Sequence, residues 1–210
     1  MSATDWTMTI NTNLVKPGEE PKSAKDLLDP KWGNGKIVIA SPVTSSGAII
    51  WYVTKLLDDD YLVRLAKNQP KITPTNREAV SALAQGEASI EFAESIVLAA
   101  SNIGQGAPIK PIELAEGIVI SSGNALSMVS NAPHPNAARV FVNWLLSQDG
   151  QKVFNSAQST TPVRSDLPSF LPQAANIKYK KVTNLSLNQL LEVSKIQQEG
   201  SIARIFGVAK

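Results

Sequence analysis

The chain has 210 residues, a formal net charge of +2, one histidine and no cysteine. This length suffices for one large domain or two small lobes, and the dispersed charges do not indicate a nucleic-acid partner or a charged membrane surface. The lack of cysteine excludes disulfides and thiolate chemistry, while a single His134 disfavours a histidine metal cluster or a Ser-His-Asp triad.

The N-terminal residues predict an extended segment followed by a short helix. The segment covers residues 7–15, and its apolar positions include Leu14. The helix covers residues 23–28, with Ser23 as its N-cap, and Asp29-Pro30 ends it. No run approaches the roughly 18 apolar residues of a membrane helix. The sequence opens in a strand-like run without a signal peptide, so we expect a truncated form of a longer protein.

The rest of the chain is organised around a predicted strand, polar loop and helix between residues 35 and 57. The apolar run at 37–40 is typical of a strand buried on both faces, and the later apolar positions follow helical spacing. A helix start offers unpaired N–H groups and the positive end of the helix dipole to an anionic or polar group. The loop fits neither a Walker loop nor a nucleophile elbow. Its candidate N-caps are Thr44, Ser45 and Ser46. A purely structural loop is the alternative.

Strands and helices alternate along the remaining residues, which indicates the α/β class. Helices are predicted at 59–68, 76–85, 94–103 and 187–196, and strands at 89–93, 109–114 and 117–121. A further helix begins at Pro135 and carries apolar residues on one face, namely Ala137, Val140, Phe141, Trp144 and Leu145.

Several motifs along the chain occur in the order found in one family. They include Leu-Ala-Gln-Gly-Glu at 83–87, Gly-Ala-Pro-Ile at 106–109, Ala-Pro-His-Pro-Asn-Ala-Ala at 132–138 and Phe-Val-Asn-Trp-Leu-Leu-Ser at 141–147. Further matches lie at 11–15, 26–33, 35–37, 116–117, 150–151 and Arg164. Over about residues 7–167 the chain resembles the extracellular solute-binding proteins of bacterial ABC importers, in their iron(III)/polyamine/phosphonate branch.

The resemblance implies the type II periplasmic-binding-protein fold, in which two α/β lobes close on a ligand. Residues 1–15 would be a crossover strand, and 16–112 a nearly complete lobe two with 175–210 packing on it. Residues 113–174 would form part of lobe one, whose N-terminal portion is missing.

The resemblance also implies candidate site residues, because lobe-two helix starts contribute ligand contacts in this family. The residues similar in position to such a binding loop are Ser41, Thr44, Ser45, Ser46 and Gly47.

A second candidate patch covers residues 91–95, at the C-terminal end of a predicted parallel strand, where open α/β sheets bind ligands. Phe92 and Glu94 are its candidate contacts, and Glu94 or Glu91 would meet a cation or an ammonium group. A helix-capping role for one of the acids is the competing interpretation. Glu116 would be a hinge residue, a ligand contact or a solvated turn acid. The adjacent tyrosines of the iron branch are absent, so tyrosinate capture of iron(III) is disfavoured. No metal site and no cofactor are predicted.

The resemblance predicts a binding protein without catalysis, located in the periplasm or outside the cell. Its expected partners are a small polar or anionic solute and an ABC permease. The apolar face of the helix at 135–146 lacks the rest of its lobe, so self-association is also expected. The alternative is a stand-alone α/β lobe that acts as an interaction or structural module.

Overall fold

The computed structural model describes residues 2–43, 59–116, 118–121, 126–171, 182–183, 186–199 and 202–206. The strands are β1 (Ser2–Asn11), β2 (Ile37–Ala40), β3 (Lys71–Thr73), β4 (Ile90–Ser95), β5 (Ile109–Ile112), β6 (Ile118–Ser121), β7 (Thr161–Pro162) and β8 (Val182–Thr183). The helices are α1 (Asp59–Lys67), α2 (Asn76–Ala84), α3 (Ile96–Gly104), α4 (Pro135–Leu146), α5 (Gln148–Gln158), α6 (Leu187–Glu199) and α7 (Ile202–Ile205). Two short 3-10 helices, η1 (Ala24–Leu28) and η2 (Pro30–Trp32), precede β2. The predicted α/β class is confirmed.

Strand β2 is the inner strand of a parallel group, as its apolar sequence predicts. It pairs in parallel with β3 on one side and with β4 on the other, and all four of its residues are buried. Because successive side chains point to opposite faces, β2 contributes to two cores. Ile37 and Ile39 belong to a cluster with α1, whereas Val38 and Ala40 belong to a cluster with α2 and α3.

Strand β1 joins two groups of strands, because its sheet partners change along its length. Its C-terminal half lies between β4 and β5, and both of these strands run antiparallel to it. Its N-terminal half pairs with β6 and, at its first residues, with β7. The chain therefore passes from one group of strands to the other along β1, and it returns along β5 and β6.

The first core cluster also holds the end of the chain in place. Val193 on α6 and Ile202 on α7 are buried in the same cluster as Met8 of β1 and Leu62 of α1. The inward face of α1 consists of the buried residues Tyr61, Leu62 and Leu65. Among the described helices, none is both long and apolar enough to cross a bilayer.

Three local predictions were wrong in detail. The chain turns at Asn11, where the N–H of Val15 donates to its carbonyl oxygen, so Leu14 lies outside the strand and is 47% exposed. Strand β4 extends to Ser95 rather than residue 93, because Glu94 and Ser95 pair with β1. Helix α3 consequently begins at Ile96.

Candidate ligand-binding site

The candidate site is the sheet edge at which three neighbouring strands end. β2, β3 and β4 run in the same direction and finish at Ala40, Thr73 and Ser95. Helices α2 and α3 begin at this edge, so their N-terminal N–H groups lie there. The first turn of α2 carries Glu78, whereas the first turn of α3 carries no acidic residue. The positive end of the α3 dipole is therefore not offset by an acid of its own first turn.

Ser41 follows β2 directly at this edge and is 4% exposed. Its N–H donates to the carbonyl oxygen of Thr73 at 2.7 Å, which fixes the backbone beside β3. Its Oγ is buried and has no hydrogen-bond partner within the described ranges. A buried hydroxyl is normally bonded, so this atom is available to a polar group that enters the edge.

The loop after Ser41 is tied to the C-terminal helix α6. Gln197 donates from Nε2 to the carbonyl oxygen of Pro42 at 2.9 Å, across 155 positions in the sequence. Sequence reasoning missed Gln197 because a hydrogen bond to a backbone carbonyl leaves no pattern in residue type or spacing. The other predicted loop residues, Thr44, Ser45, Ser46 and Gly47, lie outside the described residues.

At the start of α2, the hydroxyl groups are engaged with their own helix. Thr75 is the N-cap and its Oγ1 accepts from the N–H of Glu78 at 3.3 Å. The same Oγ1 donates to Oε1 of Glu78 at 3.0 Å. Thr73 donates from Oγ1 to the carbonyl oxygen of Thr75 at 3.1 Å. The sequence analysis predicted this helix without a cap, although Thr-x-x-Glu is a recognisable capping pattern.

The predicted patch at residues 91–95 divides into buried and edge residues. Phe92 is 1% exposed and packs in the first core cluster opposite Met8, so its side chain supports the sheet from inside. Glu91 is fully buried between Thr9 and Val38 of the neighbouring strands. Glu94 lies near the C-terminal end of β4, opposite Thr7. Of the two predicted contacts, Phe92 and Glu94, only Glu94 thus lies at the edge.

Glu116 lies between β5 and β6 and holds the return crossing against η1. Its Oε1 accepts from Ser23 Oγ at 2.5 Å, and the Ala24 N–H donates to Oε1 and Oε2 at 3.1 and 3.2 Å. The N–H of the preceding Ala115 donates to the carbonyl oxygen of Lys22 at 2.7 Å. The carboxylate is therefore hydrogen-bonded within the chain, while its roles as a hinge residue, a ligand contact or a turn acid stay predictions.

The described part of the chain contains no evident site for a metal ion or for tyrosinate ligands. No group of three or more His, Asp or Glu side chains there is arranged to hold a metal ion. The Tyr61 hydroxyl is buried and donates to the carbonyl oxygen of Ala24 at 2.9 Å, a structural role. Tyr52 and Tyr179 lie outside the described residues. His134 is exposed at the N-terminus of α4 and makes no side-chain capping bond.

Residues 7–157, which include this whole edge, match the family model of bacterial extracellular solute-binding proteins. The chain belongs to this family. A Haemophilus influenzae protein, described as uncharacterized, is 32% identical over 155 residues. The match covers 69% of this chain and 43% of that protein, so the chain spans less than half the length of this curated relative.

Solved structures show that the fold is that of type II periplasmic binding proteins, as the resemblance implied. Iron-bound HitA from Pseudomonas aeruginosa has a TM-score of 0.71 at 21% identity, and the match covers 99% of this chain and 68% of HitA. A substrate-binding protein of an Agrobacterium tumefaciens ABC transporter has a TM-score of 0.74 at 11% identity, covering 98% and 66%. A periplasmic thiamin-binding protein has a TM-score of 0.69 at 17% identity, covering 98% and 64%.

Proposed function

We propose that the chain is the solute-binding component, in truncated form, of a bacterial ABC importer located in the periplasm or outside the cell. The observation that carries this proposal is the family match over residues 7–157, which contains every element of the candidate edge. The partners that follow are a small solute and an ABC permease. No described feature favours a stand-alone structural module.

The proposed lobes follow the change of partners along β1. Lobe two comprises residues 16–112 with the C-terminal residues 175–210 packing on it, and residues 113–174 belong to lobe one. The core clusters support this division, since Val193 and Ile202 join the first cluster. The solute edge then lies next to the crossover strands, because β4 ends opposite Trp6 of β1.

The proposed solute is small and either polar or anionic, and it contacts Ser41 and the N–H groups at the start of α3. The buried Ser41 hydroxyl supplies a donor, and the α3 N-terminus supplies positive potential. Thr44, Ser45, Ser46 and Gly47 are proposed as further contacts on sequence grounds. Glu94 is proposed to contact a cationic or ammonium group where the solute carries one. Phe92 supports the edge from within the core, and Glu116 positions the return crossing.

The proposal is tested by an NMR titration of the ¹⁵N-labelled chain with sodium phosphate, against sodium chloride at equal ionic strength. Phosphate should shift the amide signals of Ser41 and of residues 95–97 in a saturable manner. Signals that shift only at other surfaces would contradict the proposed site.

The Ser41→Ala variant separates binding from folding. Removing the hydroxyl should weaken phosphate binding about tenfold, the effect of losing one hydrogen bond to a charged group. The free energy of unfolding in urea should change by less than about 0.5 kcal/mol, because the hydroxyl has no partner among the described residues. Ser101→Ala, at an exposed position of α3, is the matched control. An unchanged phosphate affinity in folded Ser41→Ala would show that the hydroxyl contacts no solute.

A further inference from the structure

The backbone that follows Ser41 is held by the C-terminal helix α6 as well as by the sheet. The N–H of Ser41 donates to the carbonyl oxygen of Thr73 at 2.7 Å, which fixes the loop at its start. The next residue, Pro42, has no N–H, so its carbonyl oxygen is its only backbone hydrogen-bonding group. That oxygen accepts from Nε2 of Gln197 at 2.9 Å. The backbone beyond Ser41 is therefore oriented by a side chain that lies 155 positions later in the sequence.

Helix α6 is a firm support for this hydrogen bond because its inner side belongs to the core. Val193 is buried in the first core cluster, and Ile196, the residue before Gln197, packs against that cluster. Val43, the residue after Pro42, packs against the same cluster. The loop and the helix thus rest on one hydrophobic core, and the Gln197 side chain connects them above it.

The position of the Ser41 hydroxyl depends on these backbone contacts. Its Oγ has no hydrogen-bond partner within the described ranges, so no bond of its own fixes it. The backbone that carries it is held at Thr73 on one side and at Gln197 on the other. A binding group that is held in one orientation binds more tightly than the same group spread over several, because less freedom is lost on binding. Loosening the Gln197 contact should therefore weaken any ligand of Ser41.

We propose that Gln197 is a positioning residue for the solute edge, and that docking of α6 and binding of the solute stabilise each other. This inference rests on the proposed function, because it takes Ser41 as a solute contact. Coupling between two sites is reciprocal, so the factor by which docked α6 favours the solute is also the factor by which the solute favours docked α6. The net effect of one hydrogen bond between neutral groups corresponds to a factor of about five.

The first measurement uses the ¹⁵N-labelled chain without any ligand. Gln197→Met keeps a side chain of similar length but removes its N–H donors. Hydrogen exchange of the Ser41 amide should become about fivefold faster in this variant, since the loop opens more easily. The amides of Val38 and Ile39 in the buried strand β2 should exchange at the wild-type rate, which shows that the fold is intact. Asn188→Met, at an exposed position of α6, is the matched control and should not change exchange at Ser41.

The second measurement repeats the sodium phosphate titration on the same variants. Gln197→Met should bind phosphate about fivefold more weakly than the wild type, and Asn188→Met should bind it equally well. Saturating phosphate should slow hydrogen exchange of the α6 amides in the wild type but not in Gln197→Met.

The inference is overturned if Ser41 exchanges at the same rate in Gln197→Met and in the wild type, or if the two proteins bind phosphate equally well. A wild-type chain that binds no phosphate would contradict the proposed solute site itself, and the coupling with it. The ligand-free exchange rates would then still show whether Gln197 holds the loop.

Discussion

Glu116 shows how one side chain can be assigned only when its neighbours are known. From sequence alone it was a hinge residue, a ligand contact or a solvated acid. In the structure its carboxylate accepts from Ser23 and Ala24, more than 90 positions earlier in the chain. These hydrogen bonds connect the segment between β5 and β6 to the N-terminus of η1. A negative charge at this end of a helix is also stabilised by the helix dipole.

Glu116→Ala should therefore destabilise the chain by about 1–2 kcal/mol, because it leaves two partly buried donors without their acceptor. Urea unfolding monitored by tryptophan fluorescence measures this change. Glu116→Gln keeps one acceptor oxygen and should lose less, while Glu19→Ala, at an exposed turn, should be neutral. A loss as small as that of Glu19→Ala would mean that these hydrogen bonds do not stabilise the crossing.

Arg164 and Asp166 form an exposed pair that links β7 to the end of α4. Arg164 donates from Nε and Nη2 to the two carboxylate oxygens at 2.8 and 2.7 Å, and from Nη1 to the carbonyl oxygen of Leu146 at 3.2 Å. The hydrogen bond from Arg164 lowers the pKa of Asp166 below its ordinary value of 3.8, with a further contribution from its positive charge.

Because the pKa of Asp166 is lowered by folding, the carboxylate contributes stability above its ordinary pKa and loses it as the pH falls. Asp166→Asn should thus be less stable than the wild type at neutral pH, and the two should converge in acid below the folded pKa. Urea unfolding at neutral pH and at about pH 2 checks the sign. A difference that persists unchanged in acid would point to packing rather than charge.

Residues with local roles could be predicted from the sequence, whereas residues with distant partners could not. Ser23 is the N-cap of η1, as the sequence predicted. Gly86 follows α2 with a positive φ of 79°, a conformation that glycine adopts readily. Leu14 looked like a strand residue because its period was right, but a turn at Asn11 ends the strand first. Gln197 and the partners of Glu116 depend on contacts across the whole chain.

The boundary between β4 and α3 shows the same limit at the level of elements. Both elements were predicted, and the strand was predicted to be parallel, as its pairing with β2 is. The boundary was wrong because Glu94 favours a helical first turn in isolation, while pairing with Thr7 keeps it in the strand. Tertiary hydrogen bonds thus extended the strand by two residues beyond the local preference.

Helices α4 and α5 meet at a sharp junction that depends on Gly150. Ser147 ends α4 and caps α5, with its Oγ accepting from the N–H of Gly150 at 3.2 Å. Gly150 lies within the first turn of α5. A Cβ at this position would lie 2.1 Å from the carbonyl oxygen of Trp144 and 2.7 Å from Leu145 Cα.

Gly150→Ala should therefore destabilise the helix pair by about 2–3 kcal/mol, since backbone atoms of α4 would have to move. This sign is opposite to the usual gain from replacing glycine in a helix. Gly104→Ala is the matched control, because a Cβ there meets nothing within 4 Å in the last turn of α3. Thermal unfolding of both variants measures the difference in stability. A Gly150→Ala protein as stable as Gly104→Ala would show that the backbone at residue 150 does not lie close to that of Trp144 and Leu145.

For the whole molecule, ordered motifs predicted the family and the fold better than periodicity did. Each motif was short, but their common order over most of the chain matched the family now shown for residues 7–157. Periodicity alone gave only the α/β class, since it cannot pair strands that lie far apart in sequence. Strand β1 pairs with one set of strands in its C-terminal half and with another in its N-terminal half. This division depends on pairing between distant parts of the chain.

At this scale the last prediction concerns the apolar face of α4, formed by Val140, Phe141 and Trp144. Each of these side chains is at least 45% exposed, and burying each of them is worth about 1.5–3 kcal/mol. We expect the isolated chain to self-associate at micromolar concentration, with a molar mass from light scattering above that of one chain. Trp144→Glu should shift it towards the monomer, and Leu191→Glu, at an exposed position of α6, should not. A wild-type chain that stays monomeric and binds no apolar dye would show that copies do not cover this face.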